Sequence, residues 1–401
     1  MNAIDELTQK CVKTQLHPTS GGLPNGQFNV DSKVNAMRST TDVLLDNREK
    51  TNVHALKECV RRESSAYGVT CGFFGALLCT LGAVAAGFKP IEGADIDKEN
   101  RKIWFDFCGF SANTDFFQLK SDGNRRVYVK LTPPCVNHSS SAVEKSGSHG
   151  EEGWKYAASV LKAILMWAPL VIELETVGNM INVNNGEDVL MALAILRHYG
   201  YIDHEGLLAA QEYGDIANKH RFIVVAISSE LGEYATTYNL PRGQFSDQVS
   251  YTARDIVDQD KDISASRFRE NFERSVGNHQ GKIPGKIQLV SRVAQGHGFS
   301  SNPHARYGLD GQPPATTTHG AGRRDLFYQA EAGKSGEGKS AMFSPEESAR
   351  GFNLSDTYLN YVCAVTIITT DAFKFKCLGN GYTQNFARAL SESIHKLLQM
   401  S

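Results

Sequence analysis

Residues 126–135 read Arg-Val-Tyr-Val-Lys-Leu-Thr-Pro-Pro-Cys, a pattern that ends in two prolines and a cysteine. The alternation of side chains up to Leu131 predicts a β-strand. The prolines fix φ and stiffen the segment that presents the thiol of Cys135. The carboxyl end of a strand in a parallel sheet is where α/β proteins bind their ligands. This stretch alone leaves two interpretations open: a buried structural cysteine, or a nucleophile whose pKa is lowered by its surroundings.

The sequence on either side of this stretch alternates between strand and helix patterns. Strands are predicted at 89–97, 170–174 and 221–227, and helices at 155–166 and 188–198. Such alternation favours parallel strands joined by helical crossovers, which is an α/β fold.

The composition and the hydrophobic pattern of the sequence divide the chain into three parts. Residues 1–66 are polar and are predicted to form an arm or cap. Residues 67–235 and 340–401 carry the strand and helix patterns of one α/β domain. Residues 236–339 are rich in Gly, Ser, Asn, Gln and Asp, so they predict a smaller, irregular inserted domain.

Composition excludes several classes of protein. The 401 residues are 41% hydrophobic and 21% charged, which is typical of a globular chain. The formal net charge of −2 gives no overall bias towards nucleic acid or membrane. The eight cysteines lack metal-ligand spacing, and the apolar stretches at 69–88 and 161–177 are interrupted by glycine, proline or acidic residues. We expect no metal site, no membrane span and, because residues 1–7 do not resemble a signal peptide, an intracellular location.

Two further strand ends carry charged residues. Glu173 and Glu175 lie at the end of the strand predicted at 170–174, where a buried carboxyl group can act as a general acid or orient a substrate. Lys219 and Arg221 precede the apolar strand at 222–227, where a fixed cation can polarise a carbonyl group or bind phosphate. Taken singly, such residues are as often ordinary surface groups.

Taken in chain order, the motifs of this sequence resemble those of the cytosine-C5 DNA methyltransferase family, over about residues 68–398. The matching motifs are Phe73-Phe-Gly75, Gly93-Ala-Asp95-Ile-Asp97, Asp115-Phe116, Thr132-Pro-Pro-Cys135, Glu175-Thr-Val177, Lys219-His-Arg221 and Leu378-Gly-Asn380. The resemblance implies a Rossmann-like methyltransferase domain that binds S-adenosylmethionine (AdoMet). It also implies a small target-recognition domain, with duplex DNA bound between the two and a cytosine flipped out of the helix.

The resemblance also implies roles for particular residues. Cys135 matches the nucleophile that adds to C6 of the flipped cytosine, and Glu175 matches the residue that holds N3 and the exocyclic amine. Lys219 and Arg221 match the pair of cations that supports the base carbonyl and the nucleophile loop. The residues that match the family's AdoMet site are Phe73, Gly75, Asp95, Ile96, Asp97, Asp115, Phe116 and Asn380.

The sequence departs from the family pattern at several positions. Leu77 and Leu78 stand where the family's cofactor turn has glycines, unless a shifted register uses Cys71-Gly-Phe-Phe-Gly75. Val136 and Thr176 replace the Gln and Asn that usually follow the nucleophile and the glutamate. Cys377 stands where a Gln normally precedes the Gly-Asn motif. These changes leave a catalytically silent DNA-binding or regulatory homologue open, and one branch of the family modifies tRNA, so RNA is a second candidate substrate.

Basic residues concentrate in the predicted insert. Residues 264–309 hold seven basic and two acidic side chains, which suits contact with phosphates. We predict DNA contacts from Arg267, Arg269, Arg274, Lys282, Lys286 and Arg292. Residues 333–340 fit the P-loop pattern GxxxxGK[ST], but no strand–loop–helix unit is predicted around them, so we interpret them as a flexible loop.

Overall fold

A computed structural model describes the chain at residues 52–61, 67–134, 153–216, 219–243, 256, 289–291, 306–308, 326–330, 338–355, 357–379 and 381–401. Its larger sheet has the strand order β2-β1-β3-β4-β6-β5. Its strands are β1 (Gly68–Gly72), β2 (Lys89–Ala94), β3 (Tyr128–Leu131), β4 (Val171–Val177), β5 (Tyr201–Ala209) and β6 (His220–Ser228). A smaller sheet contains β7 (Leu289–Ser291), β8 (Arg306–Gly308), β9 (Leu326–Ala330) and β10 (Gly338–Met342), in the order β10-β9-β8-β7.

Helices flank the six-stranded sheet. They are α1 (Val53–Arg61), α2 (Leu78–Ala85), α3 (Lys98–Cys108), α4 (Gly153–Trp167), α5 (Glu187–His198), α6 (Glu233–Thr237), α7 (Pro345–Gly351), α8 (Thr357–Thr366), α9 (Asp371–Gly379) and α10 (Gln384–Met400). One apolar cluster includes Leu81, Trp104 and Leu390 from α2, α3 and α10. A second includes Val160 and Leu193 from α4 and α5. Since successive strand residues alternate between these clusters, the sheet is buried on both faces, as an α/β fold requires.

One strand runs against the direction that the sequence pattern implied. β1, β2, β3 and β4 are parallel, but β6 is antiparallel to both β4 and β5. β5 and β6 are consecutive strands that pair as a hairpin, so they run in opposite directions. β6 lies between β5 and β4 and is therefore antiparallel to both neighbours. β5 was not predicted from the sequence, because this edge strand carries the polar run Asp203-His204-Glu205.

The interpretation of residues 338–340 as part of a flexible loop is wrong. Gly338, Lys339 and Ser340 lie in β10, which pairs antiparallel with β9. Phosphate binding by a P-loop needs the Gly-Lys-Ser segment to open a helix, and a strand takes that place here.

Helix α10 lies unusually close to α2. A Cβ atom added at Gly82 of α2 would come within 2.4 Å of the Cβ of Ala387, in the first turn of α10. Glycine at this position lets the two helices touch, so the start of α10 is held beside the helix that follows β1.

Candidate active site

The turn after β1 is bound to the end of β2. The backbone N–H of Phe73 donates to the carbonyl of Ala94 at 2.7 Å. Phe73, Gly75 and Leu77 all have positive φ, at 60°, 57° and 72°. This conformation suits Gly75 but is strained for the other two. Leu77 and Leu78 are buried in the apolar cluster that α2 shares with α10, so their side chains form part of the core.

Asp95 fastens this turn. Its carboxylate accepts hydrogen bonds from the backbone N–H of Gly75 at 2.8 Å, the backbone N–H of Asp97 at 2.8 Å and the side-chain amide of Asn100 at 3.2 Å. Burial raises the pKa of Asp95 despite these three bonds. The neighbouring Ile96 has 80% of its surface exposed. The predicted cofactor residues Gly75 and Asp95 therefore contact each other, and Ile96 projects from the segment that follows β2.

The side chain of Asp97 caps one helix and forms an ion pair with another. Its carboxylate accepts from the backbone N–H groups of Glu99, at 2.8 Å, and Asn100, at 3.3 Å, and so caps α3. The same carboxylate forms an ion pair with Lys376 of α9. Although partial burial opposes it, the contact with Lys376 lowers the pKa of Asp97. Asp97 thus connects the end of β2 to α9, which the sequence did not predict.

Asp115 and Phe116 lie on the other side of the same turn. The Asp115 carboxylate accepts from the backbone N–H of Phe117 at 2.9 Å and caps a short 3-10 helix. The ring of Phe116 lies 5.1 Å from that of Phe73. A Cβ atom at Gly72 would come within 2.7 Å of the Phe116 ring. Glycine at 72 therefore permits the close contact that brings Phe73 and Phe116 together, as predicted for one site.

The end of β3 is fixed to the same turn. The backbone N–H of Thr132 donates to the carbonyl of Gly72 at 3.2 Å, and its hydroxyl donates to the carbonyl of Phe73 at 2.5 Å. Pro134 is the last described residue of this segment, and Cys135 lies outside the described residues. Asn380 and the six basic residues predicted to contact DNA (Arg267, Arg269, Arg274, Lys282, Lys286 and Arg292) also lie outside them.

The acid and the cations predicted for the base pocket come together at the end of β4. The Nε atom of Arg221 lies 2.6 Å from Oε1 of Glu175, and both side chains are mostly buried. Arg221 also donates to the carbonyl of Gly381 at 3.2 Å. Lys219 is buried with its ammonium group 4.8 Å from the ring centre of Phe352. Burial raises the pKa of Glu175, while the charges of Arg221 and Lys219 act against that rise.

Two residues that depart from the family pattern, Thr176 and Cys377, have buried side chains. The hydroxyl of Thr176 donates to the sulfur of Met180 at 2.9 Å in a buried contact. Because side chains alternate along a strand, Thr176 faces the opposite side of the sheet from Glu175. Cys377 is also buried. Val136 lies outside the described residues.

A buried charged network beneath the site was missed by the sequence reasoning. Lys130 of β3 lies 2.9 Å from Glu173 of the neighbouring β4, and donates to Ser391 of α10 at 3.1 Å. The hydroxyls of Tyr128 and Tyr382 both donate to the Glu173 carboxylate. The one available signal was a lysine and a glutamate in otherwise apolar strands.

Asp215 is a second buried group that the sequence reasoning missed. Its carboxylate accepts from the hydroxyl of Thr383 and from the side-chain amide of Asn385, the latter at 3.1 Å. Burial raises the pKa of Asp215 to about 7, although the charges of Lys219 and Arg388 favour its ionised form. Asp215 precedes Lys219 by four residues, but nothing local in the sequence indicates its distant partners.

The described residues contain no group of three or more His, Cys, Asp or Glu residues that could hold a metal ion. Among the same residues, no helix is both long and apolar enough to cross a membrane.

The six-stranded, mostly parallel sheet with helices packed on both faces has the fold of a methyltransferase. A model of the family described as C-5 cytosine-specific DNA methylase matches residues 76–396. The chain belongs to this family. A comparison with curated proteins gave no match.

Solved structures similar to this chain have the same fold. The Entamoeba histolytica methyltransferase EhMeth superposes with a TM-score of 0.58 at 13% identity, over 84% of this chain and 99% of that one. The S. pombe Dnmt2 methyltransferase superposes with a TM-score of 0.52 at 12% identity, over 83% and 99% of the two chains. A putative DNA modification methyltransferase encoded within an E. coli prophage gives 0.53 at 15% identity, over 83% and 100%.

Proposed function

We propose that this chain transfers a methyl group from AdoMet to C5 of cytosine in DNA, through a covalent adduct between Cys135 and a flipped base. The observation that carries the proposal is the buried pair of Glu175 and Arg221 at the end of β4. β4 is the direct neighbour of β3, with Leu174 opposite Leu131, four residues before Cys135. A general acid and a nucleophile on adjacent strand ends are the two groups that addition to a cytosine ring needs.

The residues at the ends of β1 and β2 fit AdoMet. A carboxylate has about four acceptor positions, and three of those on Asp95 are used by Gly75, Asp97 and Asn100. As far as the described residues are concerned, one position is left for a ribose hydroxyl. Exposed Ile96 offers an apolar surface for the adenine on the same turn. Bound there, AdoMet supplies an electrophilic methyl group.

The chain's own residues supply the remaining chemistry. C5 of cytosine is a weak nucleophile until C6 carries an adduct, so the thiolate of Cys135 adds to C6. The second oxygen of the Glu175 carboxyl group holds N3, and the raised pKa of Glu175 favours sharing a proton with that nitrogen. Arg221 fixes the first oxygen of Glu175. After methylation a water molecule takes the proton from C5, and the electron pair of that C–H bond re-forms the C5=C6 double bond as the thiolate leaves C6. The proton shared with N3 returns to Glu175, which restores the ring.

DNA as the substrate is supported by the basic residues of the insert. The proposed domain that reads DNA comprises residues 236–339, inserted between the two parts of the catalytic domain, 67–235 and 340–401, with residues 1–66 as an arm. The chain would then act where DNA is found, in a nucleus or in a bacterial or phage-infected cytoplasm. The base must leave the helix, because C5 and C6 are inaccessible in stacked duplex.

The proposal is tested by trapping the adduct. The full-length protein is mixed with AdoMet and a duplex in which every cytosine carries fluorine at C5, so that the recognition sequence need not be known. Fluorine blocks the loss of a proton from C5, and the expected result is a protein–DNA adduct in the intact mass spectrum. Cys135→Ser is the control and should give none.

Two further measurements separate the alternatives. Labelled methyl transfer to total tRNA, with none to DNA, would replace DNA by RNA as the substrate. Calorimetric titration that shows no AdoMet binding would instead favour a silent DNA-binding or regulatory homologue. An adduct that persists in Cys135→Ser would contradict the assignment of the nucleophile.

A further inference from the structure

Three consecutive residues that follow the Gly379-Asn380 motif each accept from or donate to a charged side chain that is buried or mostly buried. We name residues 381–383 the closing turn. The contacts are Arg221 to the Gly381 carbonyl, Glu173 to the Tyr382 hydroxyl and Asp215 to the Thr383 hydroxyl. These three charged residues come from β6, β4 and the loop before β6. The closing turn is therefore fastened to the same strands that carry the proposed base pocket.

Asp215, like Glu173, is a member of this set that the proposed chemistry does not use. It is fully buried and is contacted by both Thr383 and Asn385, on either side of the start of α10. The segment that carries it is attached to α10 a second time, because the rings of Tyr213 and Phe386 stack with their centres 4.7 Å apart. A buried carboxyl group with two donors costs desolvation, so its placement calls for an explanation.

We propose that Asp215 is a positioning residue for the cofactor site: through Thr383 and Asn385 it fixes the closing turn and the start of α10 against the segment that ends in Arg221. The start of α10 in turn packs against α2, the helix that follows the turn after β1. This inference rests on the proposed function, in which AdoMet binds at the ends of β1 and β2. One buried side chain then sets the relative position of the cofactor end and the base end of the site. A rigid placement of this kind is what catalysis between two bound partners requires.

The hydrogen-bonding capacity of Asp215 decides what each substitution does. Asp215→Ala leaves the Thr383 hydroxyl and the Asn385 amide buried without their acceptor. Asp215→Asn keeps both contacts, because its oxygen accepts from Asn385 while its amide donates to the Thr383 oxygen. The asparagine should therefore rescue the position of the turn without a charge.

The test compares variants of the full-length chain by AdoMet titration calorimetry and by amide hydrogen exchange without ligand. Asp215→Ala should weaken AdoMet binding tenfold or more and speed exchange in residues 381–385. Asp215→Asn should stay within threefold of the wild type in both. Asp106→Ala is the matched control: the Asp106 carboxylate also accepts from a tyrosine hydroxyl, that of Tyr361 at 2.8 Å, but lies at the far end of α3. It should leave both readouts unchanged.

The outcomes distinguish the two proposals. Wild-type protein that binds no AdoMet would contradict the proposed function, while the exchange data would still decide the role of Asp215. Unchanged exchange in Asp215→Ala, or AdoMet affinity equal to that of the wild type, would overturn the positioning role. If Asp215→Ala does not fold, Thr383→Val removes one donor alone and should weaken AdoMet binding at least threefold. Wild-type affinity in that variant would equally overturn the inference.

Discussion

The two glutamates of β4 lie two residues apart, on the same face of the sheet, in opposite environments. Glu173 lies beneath α10, where Lys130, Tyr128 and Tyr382 all contact its carboxylate. Glu175 lies nearer the carboxyl end of the strand, with Arg221 as its ion-pair partner. Both are almost fully buried, so burial alone does not separate a structural group from a reactive one.

The difference lies in how completely each carboxylate is satisfied. The donors around Glu173 come from β3 and from the closing turn, and Ser391 of α10 contacts the two β3 donors, so this network joins three parts of the fold. Among the described residues, Glu175 has Arg221 as its one ion-pair partner, beside one of its two oxygens, and burial raises the pKa of Glu175. A buried acid with spare acceptor capacity at a strand end can bind a substrate, whereas a saturated one within the core serves stability.

The largest expected effect comes from breaking the Glu173 network. Glu173→Leu leaves Lys130 buried without a counter-charge, which should lower the free energy of unfolding by about 3–5 kcal/mol. Urea denaturation followed by tryptophan fluorescence measures this change. Lys130→Met added to Glu173→Leu removes the orphaned charge and should recover part of the loss. A double variant less stable than Glu173→Leu would contradict this account of the network.

The next largest effect is expected when glutamine replaces each of the two glutamates in turn. Glu175→Gln should reduce the methyl-transfer rate at saturating AdoMet by roughly 100- to 1000-fold, because the amide cannot share a proton with N3. Its folding free energy should fall less than that of Glu173→Gln, because Arg221 is partly exposed and keeps its hydrogen bond to the Gly381 carbonyl. Glu173→Gln should behave in the reverse way, with clear destabilisation and a rate within about tenfold of the wild type. Equal rate losses in the two variants would contradict the assignment of Glu175 as reactive and Glu173 as structural.

This contrast also shows how far the sequence could predict the site. Glu175 and Arg221 could be predicted because each belongs to a short motif at the end of an apolar strand. Lys130 and Glu173 are 43 residues apart, and Asp215 and Thr383 are 168 residues apart. No local pattern reports such pairs, because they depend on strand order and on where α10 packs. The hairpin of β5 and β6 was missed for a related reason, since β5 is a polar edge strand.

A third expected effect concerns Asp215, the buried acid beside the same closing turn. Burial raises its pKa to about 7 in the folded chain, above the 3.8 of an exposed aspartate. The folded state therefore binds more protons between these values, and this group's contribution to stability is lost as pH rises from about 4 to about 7. The slope is about 1.4 kcal/mol per pH unit at most.

Asp215→Asn removes this titration while keeping the hydrogen bonds. The stability of the variant relative to wild type should therefore rise between pH 5 and pH 7, by about 2–3 kcal/mol. Urea unfolding at a series of pH values measures the difference, and Asp106→Asn serves as the control. Parallel pH curves for wild type and Asp215→Asn would show that Asp215 is already ionised throughout this range.

The smallest expected effect comes from an ion pair that is partly exposed, between Asp97 and Lys376. Lys376→Met removes the cation but leaves the two backbone hydrogen bonds by which Asp97 caps α3. The free energy of unfolding should fall by less than about 1 kcal/mol, because solvent screens an exposed pair. The loss should shrink further in 1 M salt, whereas that of Glu173→Leu should not. The free energy of unfolding of Lys376→Met could instead fall as far as that of Glu173→Leu and be equally insensitive to salt. That result would mean that the ion pair between Asp97 and Lys376 stabilises the fold as a buried pair does.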